Sequence, residues 1–274
     1  MKAILRLRVV RTRPMTSLTL VFLSLTSVSA HAAIIVDLTA AGSSGTINGA
    51  LYEQIDAAST GTGTIDSFAQ QSPQGNGTTS RAYNTTVNNV LDNNSADNFN
   101  HSITLAAVPT VDRAGTPYRQ FLLDVNENAG RGNEFLSIDE VQVFVGGTAN
   151  SSVSTFTGGL LDYDGTLVYR MDSGMDNWVA LNYSLNTGSG SGDMFLLVPD
   201  SVFNGFGGSS VVTLYSEFGS QGVNPAGFTG DFGGSAGFEE WAVLEVVPEP
   251  STAFMAAIGL FGVVPQLRRR RACV

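Results

Sequence analysis

From Ala33 to Val246 no stretch of the chain carries a 3.6-residue apolar period. Apolar residues come instead in short runs rich in β-branched and aromatic side chains. Clusters of Gly, Asn, Asp and Ser separate them, the pattern of strands joined by turns. The runs predict strands at Ile34–Leu38, Ile103–Val108, Arg119–Val125, Val141–Val145, Thr166–Met171, Trp178–Leu185, Met194–Val198, Val211–Phe218 and Phe238–Val246. Several alternate with period two, which puts every second side chain on one face. Phe121, Leu123 and Val125 share a face, as do Val141, Val143 and Val145, and Val179, Leu181, Tyr183 and Leu185. The last run sets Phe238, Ala242, Leu244 and Val246 against Glu239, Trp241, Val243 and Glu245. Faces of different polarity imply sheets with one buried side. Strands at this spacing predict an all-β fold, a two-sheet antiparallel sandwich of jelly-roll-like type, with closure into a barrel as the alternative.

The stretch from Gly42 to Asn100 has a different texture, dominated by Gly, Ser, Thr, Asn and Ala. Such a composition fits a flexible linker. The recurrence of Tyr52, Ile55, Ile65, Phe68 and Tyr83 favours long loops and a few edge strands pinned to the same core.

Both ends read as addresses. Residues 1–32 have the layout of a secretory signal peptide: basic residues from Lys2 to Arg13, an apolar stretch from Met15 to Val28, then small residues with cleavage expected after Ala30 or Ala32. The β-rich body is expected over 33–246 and a tail over 247–274. In the tail, Pro248-Glu249-Pro250-Ser251 interrupts regular structure because proline fixes φ and lacks a donor. An uncharged apolar run from Ala253 to Val264 follows, then Arg268, Arg269, Arg270 and Arg271. Four consecutive arginines stay cytoplasmic by the positive-inside rule, which makes this a short transmembrane stop-transfer helix.

Charge sharpens the picture of the body. It holds five arginines, no lysine and 23 acids, a net charge of −18. Such a surface repels nucleic acid and anionic headgroups. The one cysteine, Cys273, lies in the tail, so the body has no disulfide framework and no thiol nucleophile.

Catalytic parts are few. His101 sits in Asn98-Phe-Asn-His-Ser without a nucleophile-elbow pattern around it. Paired carboxylates are the scheme that composition permits, but Glu239-Glu240 and Asp139-Glu140 are adjacent on strands. Adjacent residues point to opposite faces unless a bulge intervenes. No catalytic residue is assigned, and the chain is expected not to be an enzyme. An acidic body without lysine also attracts divalent cations. Asp124, Asn126, Glu127 and Glu134 around the Gly130–Gly132 loop, with Asp139 nearby, offer oxygen ligands for calcium; turn formation and solvation are the alternative role for them. Trp178 and Trp241 are candidates for stacking on sugars, against the alternative that both are core residues.

The tail Val247-Pro-Glu-Pro-Ser-Thr-Ala, with its apolar helix and arginine cluster, resembles the PEP-CTERM sorting signal. That resemblance implies an exosortase substrate: a protein of a Gram-negative bacterium that makes exopolysaccharide, held transiently in the inner membrane, cut near the Pro-Glu-Pro motif and delivered to the cell envelope or biofilm matrix. It carries no implication for the body. The expected role is a structural or binding one at the cell surface. A carbohydrate-binding module and a secreted polysaccharide-acting enzyme are the alternatives.

Overall fold

Alternating apolar side chains draw the described residues of the body into sixteen strands in chain order: β1 (Ile35–Leu38), β2 (Ser44–Ile47), β3 (Ala50–Gln54), β4 (Ile65–Gln71), β5 (Ser80–Tyr83), β6 (Ile103–Thr104), β7 (Thr110–Arg113), β8 (Thr116–Asp124), β9 (Phe135–Val145), β10 (Phe156–Thr157), β11 (Leu160–Leu161), β12 (Thr166–Arg170), β13 (Trp178–Asn182), β14 (Met194–Pro199), β15 (Val211–Phe218) and β16 (Glu239–Leu244). The computed structural model describes residues 32–56, 65–93, 99–128, 130, 132–188, 190–235 and 237–244. The expected signal segment, Ala32 apart, and the whole expected tail lie outside these residues. The helical elements among them are two 3-10 turns, Tyr183–Leu185 and Asp200–Phe203.

Two sheets pack face to face. The first runs β1-β13-β9-β15-β5, with β12 also on β9 and β6 on β15; the second runs β2-β3-β14-β8-β16-β4, with β7 on β8. Among the described strands the pairs are antiparallel except one: β1 runs parallel to β13, with Val36 opposite Val179, so the expected antiparallel two-sheet fold is mostly, not wholly, antiparallel. Parallel pairing is open to β1 because more than a hundred residues of chain separate it from β13, whereas a short hairpin forces antiparallel pairing.

The inner faces form one core. Val36, Leu136, Ile138, Val141, Val143, Val179, Leu181 and Leu214 come from the first sheet, and Tyr52, Phe121, Leu123, Leu196, Trp241 and Val243 from the second. The face shared by Phe121, Leu123 and Val125 and that shared by Val141, Val143 and Val145 both point into this core. The Gly42–Asn100 stretch contributes β2 to β5 and buries Tyr52, Phe68 and Tyr83. It belongs to the sandwich, and β2, β4 and β5 are sheet edges.

Candidate functional site

β9 carries the feature that organises the outer face of the first sheet. Leu136 and Ile138 point into the core, and so do Val141, Val143 and Val145. The inward sequence skips from 138 to 141 because the pairing with β15 shifts there: Glu217 faces Glu140, but Phe218 faces Ile138. This is a β-bulge with Asp139 as the extra residue, a device that re-aims side chains. It removes the opposite-face objection to Asp139 and Glu140, and both line one hollow on the outer side.

The two carboxylates are held differently. Asp139 accepts from Ser137 Oγ (2.9 Å), Ser220 N (2.7 Å) and Gln221 Nε2 (3.0 Å). Burial still raises its pKa against these donors. Glu140 accepts from Val141 N (3.0 Å), Asp172 N (3.2 Å), Gln142 Nε2 (3.2 Å) and Arg170 Nε (2.9 Å). With both oxygens doubly bonded, Glu140 braces β9, β12 and the turn that follows β12.

Glu217 and Asp172 carry less. Glu217 accepts from Tyr215 Oη at 3.2 Å, and its pKa is raised by burial first and then by the charge of Asp139. Asp172 accepts from Asn177 N at 2.8 Å; burial, then Glu140, pushes its pKa up to about 7. Glu217 also joins this hollow, of about 170 Å³, to a second of about 390 Å³ lined by Arg81, Gln74, Thr79 and Asp92. Arg81 lies over the ring of Phe156, 5.2 Å from its centroid. The pair of hollows thus offers acceptors along its length, with Arg81 in one hollow and Arg170 in the other. That lining suits a hydroxyl-rich ligand, since carboxylates accept and guanidinium groups donate.

The residues singled out in the sequence fall elsewhere. Trp178 is 5% exposed and packs on Phe228 and Phe232 at 5.0 and 5.6 Å between centroids. Trp241 is 0% exposed and donates Nε1–H to Ser216 Oγ at 2.9 Å. Both are core residues, so neither offers a face for sugar stacking. The five calcium candidates are tied to separate partners: Asp124 accepts from Gly190 N (2.5 Å), Asn126 donates to Phe238 O (3.0 Å), Glu127 accepts from Ser235 N (3.0 Å), Glu134 accepts from Gly132 N (2.9 Å), and Asp139 faces Ser220. They do not make one ligand set. Among the described residues, no group of three or more His, Cys, Asp or Glu side chains is arranged to hold a metal ion.

Two other carboxylates are buried deeper than the sequence pattern indicates. Glu239 shares the inward face with Trp241 and Val243, so it enters the core: it is 0% exposed and neither oxygen has a hydrogen-bond partner. Its pKa is raised well above the usual value, by burial first and then by the nearby Glu127. Asp193, just before β14, has its pKa pushed up to about 8 by burial and by Asp124, whose own is pushed up to about 6 by burial and by Glu240.

No protein-family model, no curated protein and no solved structure matches this chain.

Proposed function

We propose that the chain is an exported protein of a Gram-negative cell envelope, sorted through its C-terminal segment by an exosortase-like transpeptidase. Its body, a jelly-roll-like sandwich, serves as a structural or binding module of the exopolysaccharide layer rather than as an enzyme. The observation that carries this reading is the three-part tail: Pro-Glu-Pro, an apolar run and four arginines, in that order. β16, the last described strand, spans Glu239–Leu244, so the expected cut at Pro248–Ser251 lies C-terminal to every described strand. Mass spectrometry of the envelope fraction from the native host tests the reading. The expected mature species ends near Pro248–Ser251; a species still ending at Val274 contradicts it. Changing Pro248 and Pro250 to alanine is expected to trap the protein in the inner membrane.

A second reading, carbohydrate binding by the body, is favoured by the linked hollows around Glu217. With both tryptophans in the core, recognition there is polar rather than by ring stacking. Glycan-array binding of residues 33–246 tests it. Glu217→Gln is expected to weaken any retained glycan at least tenfold while leaving the melting temperature within about 2 °C, since substitutions of partly exposed polar groups change stability little. Equal binding by the variant removes this groove from consideration.

A further inference from the structure

Three carboxylates stand in one row across the second sheet. Asp124 on β8 pairs directly with Glu240 on β16. On its other side Met194 pairs with Leu123, so the next residue of that ladder, Asp193, lies beside Asp124. Cross-strand neighbours have Cβ atoms about 4.5–5.5 Å apart, and like charges there destabilise the pair. Glu240 is occupied, accepting from Ser67 Oγ at 3.2 Å and from Gln70 Nε2. Asp124 and Asp193 are half occupied. Asp124 Oδ2 takes the Gly190 amide at 2.5 Å, and Asp193 Oδ2 takes the Val125 amide at 2.7 Å.

Their other oxygens are left over. Asp124 is 0% and Asp193 5% exposed, and in each the Oδ1 atom is buried without a hydrogen-bond partner, the other carboxylate included. An unmet buried acceptor carries a desolvation cost, larger when charged. The charges acting on the pair are acidic: Glu240 on Asp124, and Asp124 on Asp193. Lysine is absent from the whole body. Two neighbouring buried carboxylates, each with one oxygen that no donor meets, are the environment that a cation completes.

We infer that Asp124 and Asp193 form a divalent-cation site, with their Oδ1 atoms as ligands and calcium as the fitting ion. Oxygen-only ligands exclude the soft metals, which take Cys or His. Calcium also tolerates an irregular shell of carboxylates, backbone carbonyls and water, whereas magnesium demands a near-ideal octahedron. The backbone at Gly190 lies close enough to Asp124 for its amide to reach the carboxylate. With two carboxylates rather than three or four, the affinity belongs in the extracellular range of about 0.1–1 mM. Of the five residues that the sequence pattern offers for calcium, this site keeps Asp124 and adds Asp193.

The test is thermal melting of the full-length protein with 10 mM calcium against a chelator at matched ionic strength. At about 100 times the dissociation constant the expected rise is about 5–10 °C. Asp193→Asn separates this from general charge screening. Its amide oxygen can still accept from Val125, and its NH₂ can donate to Asp124 Oδ1, so the variant is expected to melt higher than wild type in chelator and to lose the calcium response. A wild-type shift below about 1 °C, an equal shift with magnesium or sodium, or a shift retained by Asp193→Asn each overturns the site. If the variant does not fold, calorimetric titration of the wild type decides: saturable binding of one calcium supports the site and its absence overturns it.

Discussion

The hydroxyls of Tyr52 and Tyr169 meet at 2.8 Å in the core, one from each sheet. Tyr169 donates its proton to the carbonyl of Ile47 at 3.2 Å, so Tyr52 is the donor between the two phenols. Burial raises the pKa of both, well above the ordinary tyrosine value. This polar stitch ties β12 to the β2–β3 hairpin.

Tyr169→Phe removes the donor to Ile47 and strands the Tyr52 hydroxyl. The expected loss is about 1–3 kcal/mol, the cost of leaving a buried polar group unmet. Adding Tyr52→Phe is expected to cost less than the sum of the single changes, since neither partner then waits for the other. Urea midpoints at constant m-value read both.

Gly219→Ala is expected to destabilise by at least about 3 kcal/mol, from the strain of a left-handed conformation plus a steric clash. Gly219 has φ +80°, and a Cβ there would stand 2.0 Å from the Thr78 carbonyl oxygen. The backbone has no rotamer with which to move away. The next residue, Ser220, holds Asp139, so the hollow is expected to loosen with the fold. A variant as stable as wild type in urea contradicts the geometry.

Stability is expected to fall as pH rises from about 4 to above 7. The pKa of Glu239 is raised in the folded state, and that of Asp172 is pushed up to about 7. An acid raised on folding contributes stability that is fully present below its unfolded pKa, about 4, and is lost as pH climbs through the folded value. Glu239→Gln removes part of that slope, because glutamine has no charge to bury, and is expected to melt above wild type at pH 8. Scanning calorimetry across the range reads it; a flat wild-type profile rejects the assignment.

Tryptophan emission is expected to be shielded from iodide in the folded protein and unmoved by oligosaccharide, since both indoles are buried. Trp241→Phe leaves a cavity and deprives Ser216 Oγ of its indole donor. The expected cost is about 2–4 kcal/mol, near the lower end for large core truncations, because phenylalanine refills most of the space.

Where apolar and polar residues alternate cleanly the sequence was legible: β15 spans Val211–Phe218, the run as read. β9 begins at Phe135 rather than Val141, because the bulge interrupts the alternation and Ser137, Asp139 and Glu140 look like loop residues. The strand expected over Trp178–Leu185 stops at Asn182, whose side chain accepts from Ser184 N and starts a 3-10 turn. Beyond Thr104, Leu105–Val108 forms a turn rather than strand, with Val108 N donating to Leu105 O. β2 to β5 were hidden in a stretch poor in apolar residues, where three of the four strands lie at edges that need one buried face at most. The hollow around Glu217 was illegible for a different reason. It depends on a register shift between β9 and β15, strands some 70 residues apart, and no local pattern encodes that. Likewise, pairing between distant strands, not motif, places Asp193 beside Asp124.

β16 lies between β8 and β4 and is the last described strand. A tension along its axis loads the bonds on both flanks together, in shear. A grip at Ile35 instead takes hold of β1, which among the described strands pairs with β13 alone, at the outer edge of the first sheet. A pull along β16 therefore works against two ladders at once, and a pull along β1 against one.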